Sequence, residues 1–166
     1  MEARRLSGHR AHVITVSDGV SEGTRDDVSG PALVTLLRNA AFDVSGPEVV
    51  PDTHDRISDA IVAAVVSGAD FVVTTGGTGL GPRDVTPQAT SLLIDYEVPG
   101  IGELMRQAGQ ASTPMASLSR GLAGVRGHAL ILNVPGSMRG ATESLEAVLP
   151  VLGHAMQLLH GNTRHE

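Results

Sequence analysis

The spacing of apolar positions along this chain changes period several times, and each change marks an element. Residues 11–17, AHVITVS, are a short apolar run rich in β-branched side chains, which predicts a strand. The polar, turn-rich stretch at 18–30 reads as a loop. Leu33, Leu36 and Leu37 then recur at helical spacing behind Pro31, a residue suited to a first helical turn. Residues 42–50, FDVSGPEVV, read as a second, interrupted strand. Thr53 is placed to cap the next helix, in which Ile57, Ile61 and Val65 form an apolar stripe. ADFVVTT at 69–75 is nearly continuous in apolar character, the mark of a strand buried on both faces.

The second half continues the alternation. Thr86-Pro87 opens a helix, with Thr86 as cap and Pro87 at the first helical position. Residues 99–110 predict a further short helix, and HALILNV at 128–134 another buried strand. A turn and a long helix, bent near Pro150, complete the chain. Strand and helix alternate throughout, so the expected fold is a three-layer α/β/α domain with a mostly parallel central sheet. It spans 11–161, with a flexible polar lead-in at 1–10 and a tail at 162–166. Ligands of such sheets bind beyond the carboxyl ends of the strands. The segments 18–30, 51–55, 76–86 and 135–140 each follow a strand, so a parallel sheet brings them to one edge.

Composition narrows the chemistry. The chain has 166 residues, enough for one domain with its own core, and no cysteine, which excludes disulfides and thiolate chemistry. Aromatic residues make up only 2 % and the formal charge is −6, both contrary to a nucleic-acid binder. No apolar run reaches membrane-span length, and the chain is expected to be cytoplasmic. The histidines, His9, His12, His54, His154 and His160 among them, form no His-Glu-x-x-His pattern, and Ser17, Ser119 and Ser137 lack a Gly-x-Ser-x-Gly context.

The candidate chemistry lies in the four loops. TTGGTGLGPRDVTP (74–87) fails the P-loop pattern, because Pro82 stands where lysine is needed, and it fails the dinucleotide pattern at the same residue. Its glycines still let backbone N–H groups close on an anion. Asp18, Asp26, Asp27, Asp52 and Asp84 lie in or beside these loops and, together with phosphate oxygens, suit Mg²⁺. Arg25, Arg83 and Arg139 are placed to clamp phosphates.

The motifs TVSDGVSEGTRDDVSGPAL (15–33), VVPD (49–52), VVTTGGTGLGPRDVTPQAT (72–90), VPGIGELMR (98–106), SLSRGLAG (117–124) and LNVPGSMRG (132–140) occur in this order over almost the whole chain. In this they resemble the MogA/MoaB family of molybdenum cofactor biosynthesis, a pattern shared with the G domain of gephyrin. The resemblance implies a molybdopterin-binding fold, a homotrimer, and an adenylyltransferase that moves AMP from Mg-ATP to the terminal phosphate of molybdopterin. It also implies hand-over to a molybdate-inserting protein. A non-catalytic molybdopterin carrier or scaffold is the alternative.

By the same resemblance, Asp52 and Asp84 are the catalytic and Mg²⁺-binding aspartates. Thr75, Gly76, Gly77, Thr78 and Gly79 would cradle the nucleotide, and Ser17 and Asp18 match the first strand-end motif. Glu103, Ser119, Arg120, Pro135, Gly136, Ser137 and Arg139 match further substrate-binding positions. Three departures stand out: Gln88 where the family often has Glu, Arg139 for a lysine, and Gly19 after Asp18.

Overall fold

The computed structural model describes residues 6–161. The chain runs β1 (Arg10–Val16), α1 (Asp18–Ser21), α2 (Ser29–Asn39), β2 (Asp43–Val50), α3 (His54–Val66), β3 (Phe71–Thr75), α4 (Thr86–Ser91), β4 (Tyr96–Glu97), α5 (Pro99–Gln110), a 3-10 turn (Pro114–Leu118), β5 (Ala123–Arg126), β6 (Ala129–Val134) and α6 (Met138–Leu159). The six strands form one sheet in the order β2-β1-β3-β6-β5-β4. Strands β2, β1, β3 and β6 are parallel neighbours, as expected. Strand β5 is antiparallel to both β6 and β4, so the sheet is mixed at one side.

The apolar runs of the inner strands divide their side chains between two cores. Val13, Val73 and Leu132 face α2 and α6, where Leu33, Leu37, Leu145, Leu152 and Met156 pack. Their chain neighbours Ile14, Val72 and Ile131 face α3, against Ile57, Ile61 and Ala64. Successive strand residues point to opposite faces, so a strand covered on both sides is buried at every position and mostly apolar. All five residues of β3 are buried. Deleting most of a side chain such as Leu37 from either core typically costs about 2–5 kcal/mol.

Local expectations are revised in several places. The loop at 18–30 contains the single turn α1, capped by Ser17, whose hydroxyl accepts from the Val20 N–H. Strand β2 does shift register against β1, between His12 and Ile14, where Gly46 passes close to the Val13 carbonyl. Thr53 occupies the cap position of α3, but its hydroxyl is buried without a hydrogen-bond partner. Helix α6 runs through Pro150 as one element, with that residue at the solvent face. Leu6 is buried and Arg10 begins β1, so this part of the expected lead-in belongs to the domain. Residues 1–5 and the tail at 162–166 lie outside the described residues. No helix among the described residues is long and apolar enough to cross a membrane.

Candidate functional site

The four loops that follow β1, β2, β3 and β6 meet at one edge of the sheet. The Ser17 N–H donates to the Val50 carbonyl over 2.9 Å, and the Gly76 N–H donates to the Val134 carbonyl over 3.1 Å. Gly136 lies so close to Gly76 that a side-chain carbon at position 136 would come within 3.2 Å of the Gly76 Cα. Parallel register alone brings these chain ends together, because β1, β3 and β6 stop at the same level of the sheet.

The glycine loop brings its backbone into close approach with its neighbours. Gly76 and Gly77 adopt φ values of +106° and +66°, which side chains other than glycine rarely tolerate. Thr86 was the expected helix cap. It instead stands inside the first turn of α4, fully buried, and its hydroxyl donates to the Gly76 carbonyl over 2.9 Å. The Thr86 N–H donates to the Gly77 carbonyl over 3.1 Å, so the loop is closed from both sides. Arg120 secures its far end, with Nε donating to the Gly79 carbonyl over 2.8 Å and Nη2 to the Asp84 carbonyl over 2.7 Å. This arginine therefore holds the loop in shape. Among the described residues no protein acceptor takes the N–H of Gly77, Thr78 or Gly79. Three such donors in succession form a concavity suited to an anion.

The carboxylates divide by task. Asp27 accepts from the Thr15 hydroxyl over 2.7 Å and from the Gly30 N–H over 3.0 Å, which ties the first turn of α2 to β1 and occupies both of its oxygens. Asp26 and Arg25 are exposed and do not line the cavity. Asp18 and Asp52 each accept the other's backbone N–H, over 2.9 and 2.8 Å. Arg83 grips Asp18 through Nε and Nη2, over 2.9 and 3.0 Å. The Asp52 N–H and then the Arg83 guanidinium hold the Asp18 carboxyl below its ordinary range. Burial pushes the Asp52 carboxyl up, against the Asp18 hydrogen bond, and the negative charges of Asp18 and Asp84 add to the rise.

That rise makes ionised Asp52 a cost to the fold. A carboxyl raised on folding favours the native state below its unfolded pKa and loses that contribution as pH climbs through the raised value. Asp52→Asn keeps an oxygen for the Asp18 N–H and removes the charge. The variant is predicted to melt slightly above the wild type at pH 7. The gap should close as pH falls from the raised value into the ordinary carboxylate range. Melting curves across pH check this, and a variant less stable at neutral pH would overturn it.

Beside the glycine loop opens a cavity of about 450 Å³. The loop (Gly77, Thr78, Gly79 and Asp84) forms one wall, and Pro135, Gly136, Ser137 and Arg139 form another. Helix α5 and the 3-10 turn close it with Met105, Arg106, Met115, Leu118 and Ser119. Ser137 caps α6, its hydroxyl accepting from the Gly140 N–H over 3.1 Å. Arg139 donates to Glu143 over 2.9 Å and to the Ser112 hydroxyl over 3.1 Å. The Ser112 hydroxyl and then Arg139 hold the Glu143 carboxyl below its ordinary range.

Other expected residues stand apart from the cavity. Ser17, Asp18 and Asp52 are next to the glycine loop without lining the cavity, with Asp52 within reach of Gly77. Thr75 is buried, its hydroxyl donating to the Pro135 carbonyl and accepting from the Ser29 hydroxyl. Glu103 is exposed on α5 and is not among the lining residues. Arg106, which sequence reasoning passed over, lines the cavity and donates to the Gly121 carbonyl over 2.9 Å. Its advance signals were the motif VPGIGELMR, which ends on it, and its place beside Met105 in an amphipathic helix.

The cavity thus joins a glycine cradle to flanking carboxylates. Residues 12–154 match the protein family described as a probable molybdopterin binding domain. The chain belongs to this molybdopterin-binding family. A molybdopterin adenylyltransferase of Helicobacter pylori is 39 % identical to it over 153 residues, covering 90 % of the chain and 87 % of that protein. A molybdenum cofactor biosynthesis bifunctional protein of Synechococcus elongatus is 40 % identical over 156 residues, covering 94 % of the chain. The chain spans only 49 % of that longer protein's length. The crystal structure of the molybdopterin biosynthesis enzyme MoaB from Thermus thermophilus superposes with a TM-score of 0.86 at 52 % identity, covering 92 % of this chain and 97 % of that one. The six-stranded mixed sheet of this chain and its flanking helices thus share the fold of that molybdopterin biosynthesis enzyme.

Proposed function

We propose that this protein is a molybdopterin adenylyltransferase that uses Mg-ATP. A terminal phosphate oxygen of molybdopterin attacks the α-phosphorus of ATP, and the bond to the departing pyrophosphate breaks. The observation that carries the reading is the cavity of about 450 Å³ whose wall is the glycine cradle and Asp84. The name of the Helicobacter pylori relative supports it.

The nucleophile is already ionised at neutral pH, so no protein base or nucleophile is required. The protein's contribution is position and charge. The N–H groups of Gly77, Thr78 and Gly79 would receive phosphate oxygens, and Arg139, with Ser137 beside it, would meet the second anion across the cavity. Met105, Met115 and Leu118 would exclude water from the ring system. Asp52 and Asp84 are oxygen donors whose charges act on one another, a set that fits Mg²⁺. Asp18 is held by Arg83 and serves to place Asp52. The metal would supply charge neutralisation for the triphosphate. We extend the proposal to a cytoplasmic homotrimer that passes its product to a molybdate-inserting protein.

The deciding experiment mixes purified protein, ATP, Mg²⁺ and molybdopterin and separates the products by chromatography. Adenylylated molybdopterin and pyrophosphate in equal amounts are the expected result. Tight molybdopterin binding without product would overturn turnover and leave a carrier or scaffold.

A further inference from the structure

We propose that His9, Asp70 and His160 form a binding site for a divalent transition-metal ion of the zinc class. The three residues lie at the amino-terminal end of the parallel strands, away from the glycine loop. His9 precedes β1, Asp70 precedes β3 and His160 closes α6. One ligand atom from each lies within 4.8 Å of the others. His160 Nε2 is 2.9 Å from Asp70 Oδ1, and His9 Nδ1 is 3.3 Å from Asp70 Oδ2. Ligand atoms around a four-coordinate zinc ion are roughly 3.3 Å apart, given metal–ligand bonds of about 2.0–2.1 Å. Two imidazoles and one carboxylate are a donor set zinc takes, with water in the fourth position.

His160 is oriented by its own helix. Its Nδ1 is 2.9 Å from the Met156 carbonyl, a contact in which the ring nitrogen must donate, and this turns Nε2 toward Asp70 Oδ1. A ring N–H bonded to a backbone carbonyl is also the usual support of a metal-bound histidine. Asp70 is supported in the same way, since Oδ2 accepts from the Arg10 N–H over 2.8 Å. The end of α6 points its carbonyls here, and His128 donates to the Leu159 carbonyl over 2.7 Å with its ring 6.0 Å from that of His160. The negative end of a helix favours a cation. The ion would tie segments 61 and 90 residues distant in sequence to one point.

The test titrates tag-free full-length protein with Zn²⁺ by calorimetry and with Co²⁺ by visible absorption. One ion per chain is expected, with a Co²⁺ spectrum typical of four-coordination. At a hundredfold excess over Kd, Zn²⁺ should raise the melting temperature by roughly 5–10 °C. His160→Gln and Asp70→Asn should each weaken binding by about tenfold or more. His160 is exposed, so its variant is expected to fold even if Asp70→Asn does not. His154→Gln, an exposed change elsewhere on α6, should bind like the wild type. No binding, or equal binding by the His160 and Asp70 variants, would overturn the proposal.

Discussion

Asp84→Asn is expected to retain molybdopterin and lose AMP transfer, with kcat falling roughly 100- to 1000-fold. The substitution is close to neutral for the fold. Asp84 Oδ2 accepts the Gly81 N–H over 2.8 Å, and the Asn amide oxygen can do the same. The bond from Arg120 to position 84 ends on the backbone carbonyl, so it survives any side chain. What disappears is the charge that the proposed function turns toward the phosphates and the metal. The wall opposite, with Met105, Met115 and Ser137, is untouched, so the Kd for molybdopterin should change by no more than about threefold, less than one hydrogen bond is worth. Asp84→Ala is the informative companion. It also removes the Gly81 acceptor and should lose part of the nucleotide affinity through a loosened loop. Equal loss of molybdopterin binding and of turnover in Asp84→Asn would remove Asp84 from its catalytic role.

Much of this site was legible in the sequence because it depends on chain order. Apolar runs identified β1 as a strand and β3 and β6 as buried strands, and the loops behind parallel strands must share an edge. The antiparallel side of the sheet was missed. Strand β4 has two residues, both exposed, and leaves no period to read. Strand β5 is four residues long and joins β6 through the two-residue turn Gly127-His128, with Gly127 at φ +59°. A glycine at such a position is a hairpin signal, but the arginine before it hid the strand end.

Side-chain roles were harder to read than positions. Thr86, Arg120 and Asp27 have residue types that suit ligand binding or capping, yet Thr86 and Arg120 donate to carbonyls remote in sequence and Asp27 accepts from the Thr15 hydroxyl twelve residues earlier. Nothing local distinguishes a threonine that caps its own helix from one that closes a loop ten residues earlier. The cavity wall on α5 was likewise hidden. Met105 and Arg106 acquire their meaning only when the 3-10 turn folds over them. Glu103, chosen by resemblance, is on the helix face that points away.

Gly76→Ala should produce the largest loss of stability of any single methyl addition in the loop. At φ +106° the backbone is in a region where side chains other than glycine are strained. The added carbon would also fall well inside contact distance of the Val16 carbonyl oxygen. That oxygen cannot retreat easily, because Val16 is paired with Val50 in the sheet. Strain and overpacking together cost about 3 kcal/mol or more, a fall in melting temperature of roughly 6–12 °C for a chain of this size. Gly79→Ala is the contrast. Its φ is not positive, and the nearest obstacle is the Asp84 carboxylate, a side-chain atom that can move. It should melt near the wild type and lose activity instead, since Asp84 is the group displaced. A Gly76→Ala protein that melts within about 2 °C of the wild type and binds ATP normally would be inconsistent with a rigid cradle. The N–H groups that the loop presents would then be set by the ligand on arrival, and the glycine would matter only for close approach. The expected result places the cost in the fold itself: Gly76 connects β3 to β6 through its N–H and to α4 through its carbonyl, so one strained residue would disturb three elements that frame the glycine loop.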